Sequence, residues 1–280
     1  MGCFRWEITL EAGEAIAADG VVITGAGPAV TVPGHPHDHP RVLDGQTYWL
    51  AAHELKHQRP LNVCVVGSGE TAASVVIDLV KRCRKGSMID VLTSRGILYS
   101  RGESYDENRF YSDPGDWPRL AEVNRREFLE RTDRGVFSLQ AEATLNQARG
   151  FRTLAGKAAA IEAREHDVIV TMEYGAERER VAYDAVVVAI GFDGRWFEAL
   201  LGDKALARYR DALGGDELGR RIEVDLSVSG LVPPLHSPVM AGPAQGPGFP
   251  NLSCLGLMSD RVLRRYVATD GAGALASERK

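Results

Sequence analysis

The chain has 280 residues, 44% of them hydrophobic and 25% charged, and its formal net charge is −5. This composition is typical of a folded globular protein and excludes a collagen-like or wholly disordered chain. The acidic balance offers no basic surface for nucleic acid, and no apolar run reaches the roughly 18 residues of a membrane span. Its four cysteines are scattered without a C-x-x-C pair, which argues against a disulfide scaffold. We expect a cytoplasmic protein that binds neither nucleic acid nor membrane.

Four stretches of the sequence read as β-strands before any helix is considered. Residues 4–10 are predicted to form a strand, and a domain that opens in mid-sheet suggests that an upstream part is missing. Three later apolar runs each end on a glycine, at residues 20–25, 63–67 and 185–191. Continuous β-branched runs predict strands buried on both faces, as in α/β sheets. Pro and Gly after the first of these runs predict loop or extended chain over residues 25–40.

The second glycine-ended run opens a complete strand–turn–helix–strand unit. Residues 73–84 contain neither Pro nor Gly, and their apolar positions follow the spacing of a helix with one buried stripe. Gly86 stops this helix, and residues 88–93 are predicted to form the next strand. Further helices are predicted over residues 118–131, 195–201 and 252–266.

The turn of this unit carries the motif Gly67-x-Gly69-x-x-Ala72. The first glycine permits a tight turn, the second lets a pyrophosphate approach the backbone, and the small third residue lets helix and strand pack closely. A bare match to this pattern is weak, but here the required strand precedes it and the required helix follows it. We therefore predict a dinucleotide-binding site, with a purely structural glycine turn as the alternative.

The end of the second strand indicates which dinucleotide is bound. An NAD site usually carries an acidic residue there for the ribose diol, whereas an arginine accommodates the 2′-phosphate of NADP. Here the sequence is Thr93-Ser94-Arg95, which favours NADPH. The alternative is that Arg95 is an ordinary solvated surface residue.

A second pattern, His53-Glu54-Leu55-Lys56-His57, matches the H-E-x-x-H signature of zinc proteases. That chemistry needs both histidines on one face of a long helix, a third ligand, and the glutamate as general base. Pro60 follows closely, so any helix is short, and His35-x-His37-x-His39 lies in a predicted loop. Solvated connector histidines are the favoured interpretation and no metal is expected, although a zinc hydrolase stays open as a remote alternative.

Five segments carry motifs that occur together in one known family. They are residues 65–74, residues 100–103 with Glu107 and Asn108, and residues 112–117, 131–138 and 245–256. Through these segments the chain resembles the flavin-dependent N-hydroxylating monooxygenases of siderophore biosynthesis, most closely the mycobactin-type L-lysine N(6)-monooxygenases. The likeness extends over nearly the whole chain.

The resemblance implies an α/β flavoprotein built from two Rossmann-like dinucleotide-binding domains. NADPH and FAD would be the cofactors, and O2 would supply the oxygen that hydroxylates the side-chain amine of L-lysine. Residues 1–45 would be a remnant of the FAD-binding domain, residues 46–184 the NADPH-binding domain, and residues 185–280 the C-terminal part of the FAD and substrate domain. The runs that end at Gly25 and Gly191 would be the two crossings between domains.

The resemblance also implies roles for individual residues. The NADPH contacts would be Gly67, Ser68, Gly69, Glu70, Thr71 and Arg95. Asn108 would be catalytic and bridge the nicotinamide ribose and the amino acid, with Asp133 near the polar end of that amino acid. Pro250, Asn251 and Leu252 would reach FAD, and Ser253 would reach the substrate.

One feature of the family is missing from this sequence. The family carries a glycine motif for FAD near its N-terminus, whereas the only complete fingerprint here is that of NADPH. We therefore expect an N-terminally truncated chain, whether fragment, mis-started gene model or degenerate copy, that is inactive alone. An NADPH-binding pseudoenzyme is the main alternative. Ornithine stays open as an alternative substrate because it differs from lysine by one methylene. A homo-oligomeric state also stays open.

Overall fold

The computed structural model describes residues 5–36, 38–53, 59–101, 105–132, 136–213 and 218–274. In this part of the chain the strands are β1 (Trp6–Thr9), β2 (Ala15–Ala18), β3 (Val21–Val22), β4 (Val42–Asp44), β5 (Asn62–Val66), β6 (Met88–Thr93), β7 (Tyr99–Ser100), β8 (Val136–Phe137), β9 (Phe151–Ala155), β10 (Lys157–Ala163), β11 (Val168–Tyr174), β12 (Glu177–Tyr183), β13 (Ala185–Val188) and β14 (Leu235–His236).

The α-helices in the same residues are α1 (Thr47–Ala51), α2 (Glu70–Arg82), α3 (Tyr105–Ser112), α4 (Glu122–Thr132), α5 (Leu139–Leu145), α6 (Asp203–Leu213), α7 (Gly242–Gln245) and α8 (Leu255–Ala274). Short 3₁₀ turns span Trp117–Arg119, Trp196–Leu200, Leu218–Arg221, Pro238–Met240 and Leu252–Cys254. None of the described helices is both long enough and apolar enough to span a membrane.

The chain divides into two compact units. Unit 1 comprises residues 1–27, 104–129 and 194–280, and unit 2 comprises residues 28–103 and 130–193. Each unit is therefore assembled from segments that are far apart in sequence, and the two are described separately below.

Unit 2 is built on a five-stranded sheet in the order β4-β13-β5-β6-β9, in which every pairing is parallel. All four residues of β13 and the last four of β5 are buried. Strands of a parallel sheet are covered on both faces, which explains why these segments read as uninterrupted apolar runs. The α/β, Rossmann-like fold expected from the sequence is confirmed here.

The two faces of β5 pack against different layers of unit 2. Val63 and Val65 belong to the core that contains helix α2, whereas Cys64 and Val66 face the core formed with the antiparallel sheet β10-β11-β12. Successive side chains of a strand point to opposite faces, so this alternation follows directly from the strand geometry. The result is a three-layer arrangement in which β5 lies at the centre.

Helix α2 and strand β6 confirm the strand–turn–helix–strand prediction. The buried stripe of α2 consists of Ala72, Ala73, Val75, Val76 and Leu79. Glu70 in its first turn and Lys81 and Arg82 in its last turn complement the helix dipole. Strand β6 spans the predicted residues 88–93.

Unit 1 has a core of helices and loops with few strands. Strands β1 and β2 form an antiparallel hairpin, and β3 pairs with β14 in a parallel two-stranded sheet. The main core includes Phe197, Tyr209, Leu226 and Phe249, which are almost fully buried. A separate aromatic cluster consists of Phe110, Tyr111, Trp117 and Phe128.

Several sequence predictions are corrected by the structure. The strand expected over residues 20–25 is limited to Val21–Val22, because its parallel partner β14 is itself only two residues long, and Val22 is half-exposed. Residues 196–200 form a 3₁₀ turn rather than an α-helix. The helices predicted at 118–131 and 252–266 begin later, at Glu122 and Leu255, each after a 3₁₀ turn.

The unit boundaries differ from the boundaries drawn on the sequence. Strand β13 lies between β4 and β5 in the sheet, so the segments that contain β4 and β13 belong to unit 2. Residues 104–129 belong to unit 1, although they lie inside the segment 46–184. The chain passes between the units at 27/28, 103/104, 129/130 and 193/194, and the first and last of these points lie within three residues of Gly25 and Gly191. The assignment of FAD and NADPH to the three sequence segments stays a prediction.

Candidate dinucleotide-binding site

The turn after β5 depends on glycine at position 67. Gly67 has a φ of +132°, and an added Cβ would lie 2.2 Å from the carbonyl oxygen of Ala189 on the neighbouring strand segment. The N–H of Gly67 donates to the carbonyl of Leu92 at 3.0 Å, which fixes the turn beside β6. A side chain is excluded here by both conformation and space.

Gly69 has a different role in the same turn. It is the residue before α2, and an added Cβ would meet nothing within 4 Å. As the N-cap residue, Gly69 has no side chain with which to cap this helix of 13 residues, whose first N–H groups have no intrahelical partner. An open glycine edge beside these N–H groups is the arrangement that accepts a phosphate.

A cleft of about 550 Å³ in unit 2 opens over this turn. It is lined by Val32, residues 66–71, residues 92–94, residues 156–158 and residues 189–192. Thr93 lines the cleft, although it is only 3% exposed, and its hydroxyl is buried without a hydrogen-bond partner among the described residues. The cleft also contains Gly69 and the first turn of α2, whose N–H groups suit a phosphate. These features make the cleft a candidate site for a dinucleotide.

The loop after β6 brings Arg95 to the rim of this cleft. Ser94 lines the cleft and Arg95 follows it, exposed, with its guanidinium carbon 5.8 Å from the centre of the Tyr99 ring. Gly96 closes the turn with a φ of +67°, and its N–H donates to the carbonyl of Thr93 at 3.2 Å. Arg95 itself does not line the cleft in this structure.

Glu70 has a protein partner that the sequence did not reveal. Its carboxylate accepts the backbone N–H of Ser138 at 2.9 Å. Ser138 in turn caps α5, because its hydroxyl accepts the N–H of Ala141 at 3.3 Å. Glu70 therefore connects the first turn of α2 to α5, which is a structural role beside the cofactor contact expected of it.

A lysine that the sequence analysis did not single out also lines the cleft. Lys157 is the first residue of β10, directly after Gly156, and both border the cleft. No sequence motif marks this lysine, since it reaches the cleft only through the pairing of β9 with β6.

In unit 1, helix α3 lies against the 3₁₀ turn Leu252–Cys254. The thiol of Cys254 donates to the carbonyl of Tyr111 at 3.1 Å, and its burial raises the pKa of this thiol. A Cβ at Gly248 would lie 2.1 Å from the same carbonyl oxygen. The helix of Asn108 and the turn of Ser253 are thus brought together from distant parts of the sequence.

The loop that contains the expected FAD contacts is organised by Asn251. Its side-chain oxygen accepts the N–H of Ser253 at 2.8 Å, and its amide donates to the carbonyl of Pro247 at 3.1 Å. The side chains of Asn108, Pro250 and Ser253 are exposed, so all three are accessible to a ligand. Leu252 has no described side chain, and Asp133 lies outside the described residues.

The histidine motif lies mostly outside the described residues, which exclude His37, Glu54 and His57. His53 is exposed, and its Nδ1 lies 3.1 Å from the carbonyl oxygen of Leu50. Among the residues that the structure describes, no group of three His, Cys, Asp or Glu side chains could hold a metal ion.

Comparison with known proteins gives matches over most of the chain. A family model described as L-lysine 6-monooxygenase/L-ornithine 5-monooxygenase matches residues 5–194. The L-lysine N6-monooxygenase MbtG of Mycobacterium sp. (strain MCS) is 39% identical over 277 residues, which are 95% of this chain and 62% of that protein. MbtG of Mycobacterium tuberculosis is 37% identical over 264 residues, 91% of this chain and 60% of the relative.

Two solved structures extend the comparison. The lysine monooxygenase NbtG from Nocardia farcinica matches with a TM-score of 0.68 and 35% identity over 92% of this chain and 63% of that one. The ornithine N-hydroxylase KtzI of Kutzneria sp. 744 has the same TM-score at 16% identity, over 94% of this chain and 68% of that one, which is a likeness of fold. The chain spans about three fifths of the length of the curated relatives, 62% and 60% of the two named above.

Proposed function

This chain belongs to the L-lysine 6-monooxygenase/L-ornithine 5-monooxygenase family, and on that premise we propose that it carries the NADPH site and part of the amino-acid site of an L-lysine N6-monooxygenase. The reaction is the hydroxylation of the lysine side-chain amine for a hydroxamate siderophore. The proposed partners are L-lysine, O2 and the two cofactors, and the proposed location is the cytoplasm.

The cleft of unit 2 is the observation that carries this proposal. Its open edge at Gly69 and the free N–H groups of α2 suit the pyrophosphate of NADPH. Its opposite end, beside Thr93 and Arg95, lies where the second strand of such a fold receives the adenosine ribose.

The FAD contacts, and the amino-acid contacts of Asn108 and Ser253, are assigned to unit 1. We assign FAD to Pro250, Asn251 and Leu252, and when bound it would supply the activation of O2 that no amino-acid side chain provides. Asn108 and Ser253 would hold the amino acid, because an amide offers both a donor and an acceptor to its carboxylate and ammonium groups. The contact between α3, which carries Asn108, and the 3₁₀ turn that carries Ser253 supports a shared site.

Lysine is proposed as the substrate rather than ornithine. The curated relatives that are 37–39% identical are named L-lysine N6-monooxygenases. The two amino acids differ by one methylene, so the polar end must be held in place for chain length to decide which amine reaches the reacting centre. Asp133 is assigned to that polar end.

Isothermal titration of the full chain with NADPH and NADH tests the cofactor assignment. We expect NADPH to bind at least about tenfold more tightly, because a guanidinium–phosphate contact is charge-assisted. Arg95→Ala should reduce this preference, while Arg84→Ala, at an exposed arginine beyond the end of α2, should leave it unchanged. Equal affinities in the wild type would contradict the NADP assignment, and absence of binding would contradict the function.

The alternative of an NADPH-binding protein without catalysis is suggested by the single glycine fingerprint in the sequence. Mass spectrometry distinguishes the two functions when this chain, and a longer version that carries the family's glycine motif for FAD, are each incubated with NADPH, FAD, O2 and L-lysine. We expect NADPH binding without N6-hydroxylysine from this chain alone, and N6-hydroxylysine from the longer version. Absence of the product from the longer version would favour the binding module.

A further inference from the structure

Lys157 is held at the same end of the cleft as the loop of Arg95. The N–H of Gly156 donates to the carbonyl of Thr93 at 2.8 Å, so the residue before Lys157 is fastened to the end of β6. Gly156 has a φ of +143°, and at this bend the chain leaves the parallel sheet at β9 and enters the antiparallel sheet at β10. The bend leaves Lys157 on the lining of the cleft.

The ammonium group of Lys157 is available to a ligand. Its cross-strand neighbour is Glu173, but the carboxylate of Glu173 pairs with Arg178 instead. Among the described residues Lys157 forms no ion pair, and it is the one cationic residue on the cleft lining. The other charged residue of the lining, Glu70, accepts the N–H of Ser138.

We propose that Lys157 is a specificity-determining residue that binds the 2′-phosphate of NADPH together with Arg95; this rests on the proposed function. The pyrophosphate belongs to the opposite side, at Gly69 and the N-terminus of α2. A 2′-phosphate on the adenosine ribose would lie at the end of β6, beside Thr93, where Gly156 is fastened. The side chain of Lys157 supplies a compact charge on a flexible stem, whereas Arg95, at the edge of the cleft, supplies a planar guanidinium group with several N–H donors.

If two cations bind one phosphate, each single variant should lose only part of the preference for NADPH over NADH. Removal of Arg95 alone leaves Lys157 in place, so part of the preference for NADPH over NADH remains. Removal of Lys157 alone has the matching effect. Only the double variant of Arg95 and Lys157 binds the two coenzymes with the same affinity.

The 2′-phosphate can be tested without the pyrophosphate by titrating the full chain with adenosine 2′,5′-bisphosphate and with 5′-AMP. Lys157→Gln should raise the Kd of the bisphosphate about tenfold and change that of 5′-AMP less than about twofold, because only the first ligand carries the 2′-phosphate. Lys157→Arg should retain tight binding. Lys85→Gln, at an exposed lysine beyond the end of α2, is the matched control and should change neither Kd.

Each outcome decides the proposal. If Lys157→Gln weakened the binding of both ligands equally, Lys157 would lie near the 5′-phosphate, and the assignment would be overturned. Unchanged binding of both ligands would overturn it as well, while leaving the NADPH site intact. If the wild type bound neither ligand nor NADPH, the proposed function would fail together with this inference. An unchanged thermal unfolding midpoint shows that Lys157→Gln is folded.

Discussion

Gly67 and Gly69 are two residues apart, yet the structure gives them opposite tasks. Gly67 is needed by the protein itself, because its backbone lies in the left-handed region and a Cβ would strike the carbonyl of Ala189. Gly69 has an ordinary φ of −88° and open space around it. What Gly69 provides is access to the backbone, and that serves a ligand rather than the fold.

This difference predicts separate effects for two alanine variants. Gly67→Ala should lower the free energy of unfolding by about 2–4 kcal/mol, because of the strained φ and the backbone clash. Gly69→Ala should cost at most about 1 kcal/mol as a change of N-cap residue, but should weaken NADPH binding by at least about tenfold. Urea unfolding and NADPH titration of both variants check this. A stable Gly67→Ala protein would contradict the geometry of the turn.

His236 is a fully buried residue of unit 1 whose protonation is coupled to stability. Its Nδ1 lies 2.7 Å from the carbonyl oxygen of Asp225 and its Nε2 lies 2.7 Å from the hydroxyl of Tyr266. Burial lowers the pKa of His236. Burial acts to raise the pKa of Asp225, but hydrogen bonds from Ser227 and Arg265 hold that pKa below its ordinary value.

The sign of the pH dependence follows from His236. In the unfolded chain this histidine takes up a proton at about pH 6.5, whereas in the folded protein it does so only at lower pH. The stability that the protein gains by burying neutral His236 is therefore fully present above about pH 6.5 and is lost as the pH falls. Urea unfolding at about pH 7.5 and about pH 5.5 should show lower stability at the acidic pH. His236→Gln should have a smaller pH dependence, and an unchanged dependence would contradict the assignment.

At the scale of the elements, a buried carboxylate fastens three strands of unit 2 together. Asp90 on β6 is 2% exposed and accepts two hydrogen bonds from Arg152 on β9, at 2.6 and 3.0 Å. The hydroxyl of Tyr183, at the end of β12, donates to the same carboxylate at 2.8 Å. Burial raises the pKa of this tyrosine. The parallel and antiparallel sheets are thus joined through one acidic side chain.

Loss of the arginine should leave that buried charge without its main partner. Arg152→Met is expected to lower the free energy of unfolding by about 2–3 kcal/mol. Arg178→Met, which breaks the exposed pair with Glu173, is the matched control and should cost less than about 1 kcal/mol. Urea unfolding measures both. If the two variants lowered the free energy of unfolding by similar amounts, the pairing of Asp90 with Arg152 would not be an important link between the strands.

The elements also show how far the sequence could be interpreted. Helix α2 and strand β6 were predictable because a helix with one apolar stripe and a buried strand each carry their own periodicity. Strand β3 was overestimated because its length depends on the short partner β14, which is far away in sequence. Lys157 carries no local pattern, and its place in the cleft depends on the pairing of β9 with β6.

At the scale of the whole molecule, each unit is assembled from non-contiguous segments. The expected boundaries at 45/46 and 184/185 followed runs of sequence, whereas the units follow the pairing of β4, β13 and β5. The residues expected to bind NADPH lie in unit 2, and the described residues expected to meet FAD or the amino acid lie in unit 1. The glycine motif was visible in the sequence; the association of α3 with the 3₁₀ turn of Ser253 was not, because it is a long-range contact.

The central claim is that the cleft of unit 2 is the NADPH site. Hydrogen–deuterium exchange of the full chain, with and without saturating NADPH, tests it directly. The account predicts slower exchange in residues 67–72, 93–96 and 156–158, and unchanged exchange in the β1–β2 hairpin of unit 1. Protection confined to other segments, or no protection at saturating NADPH, would contradict the claim.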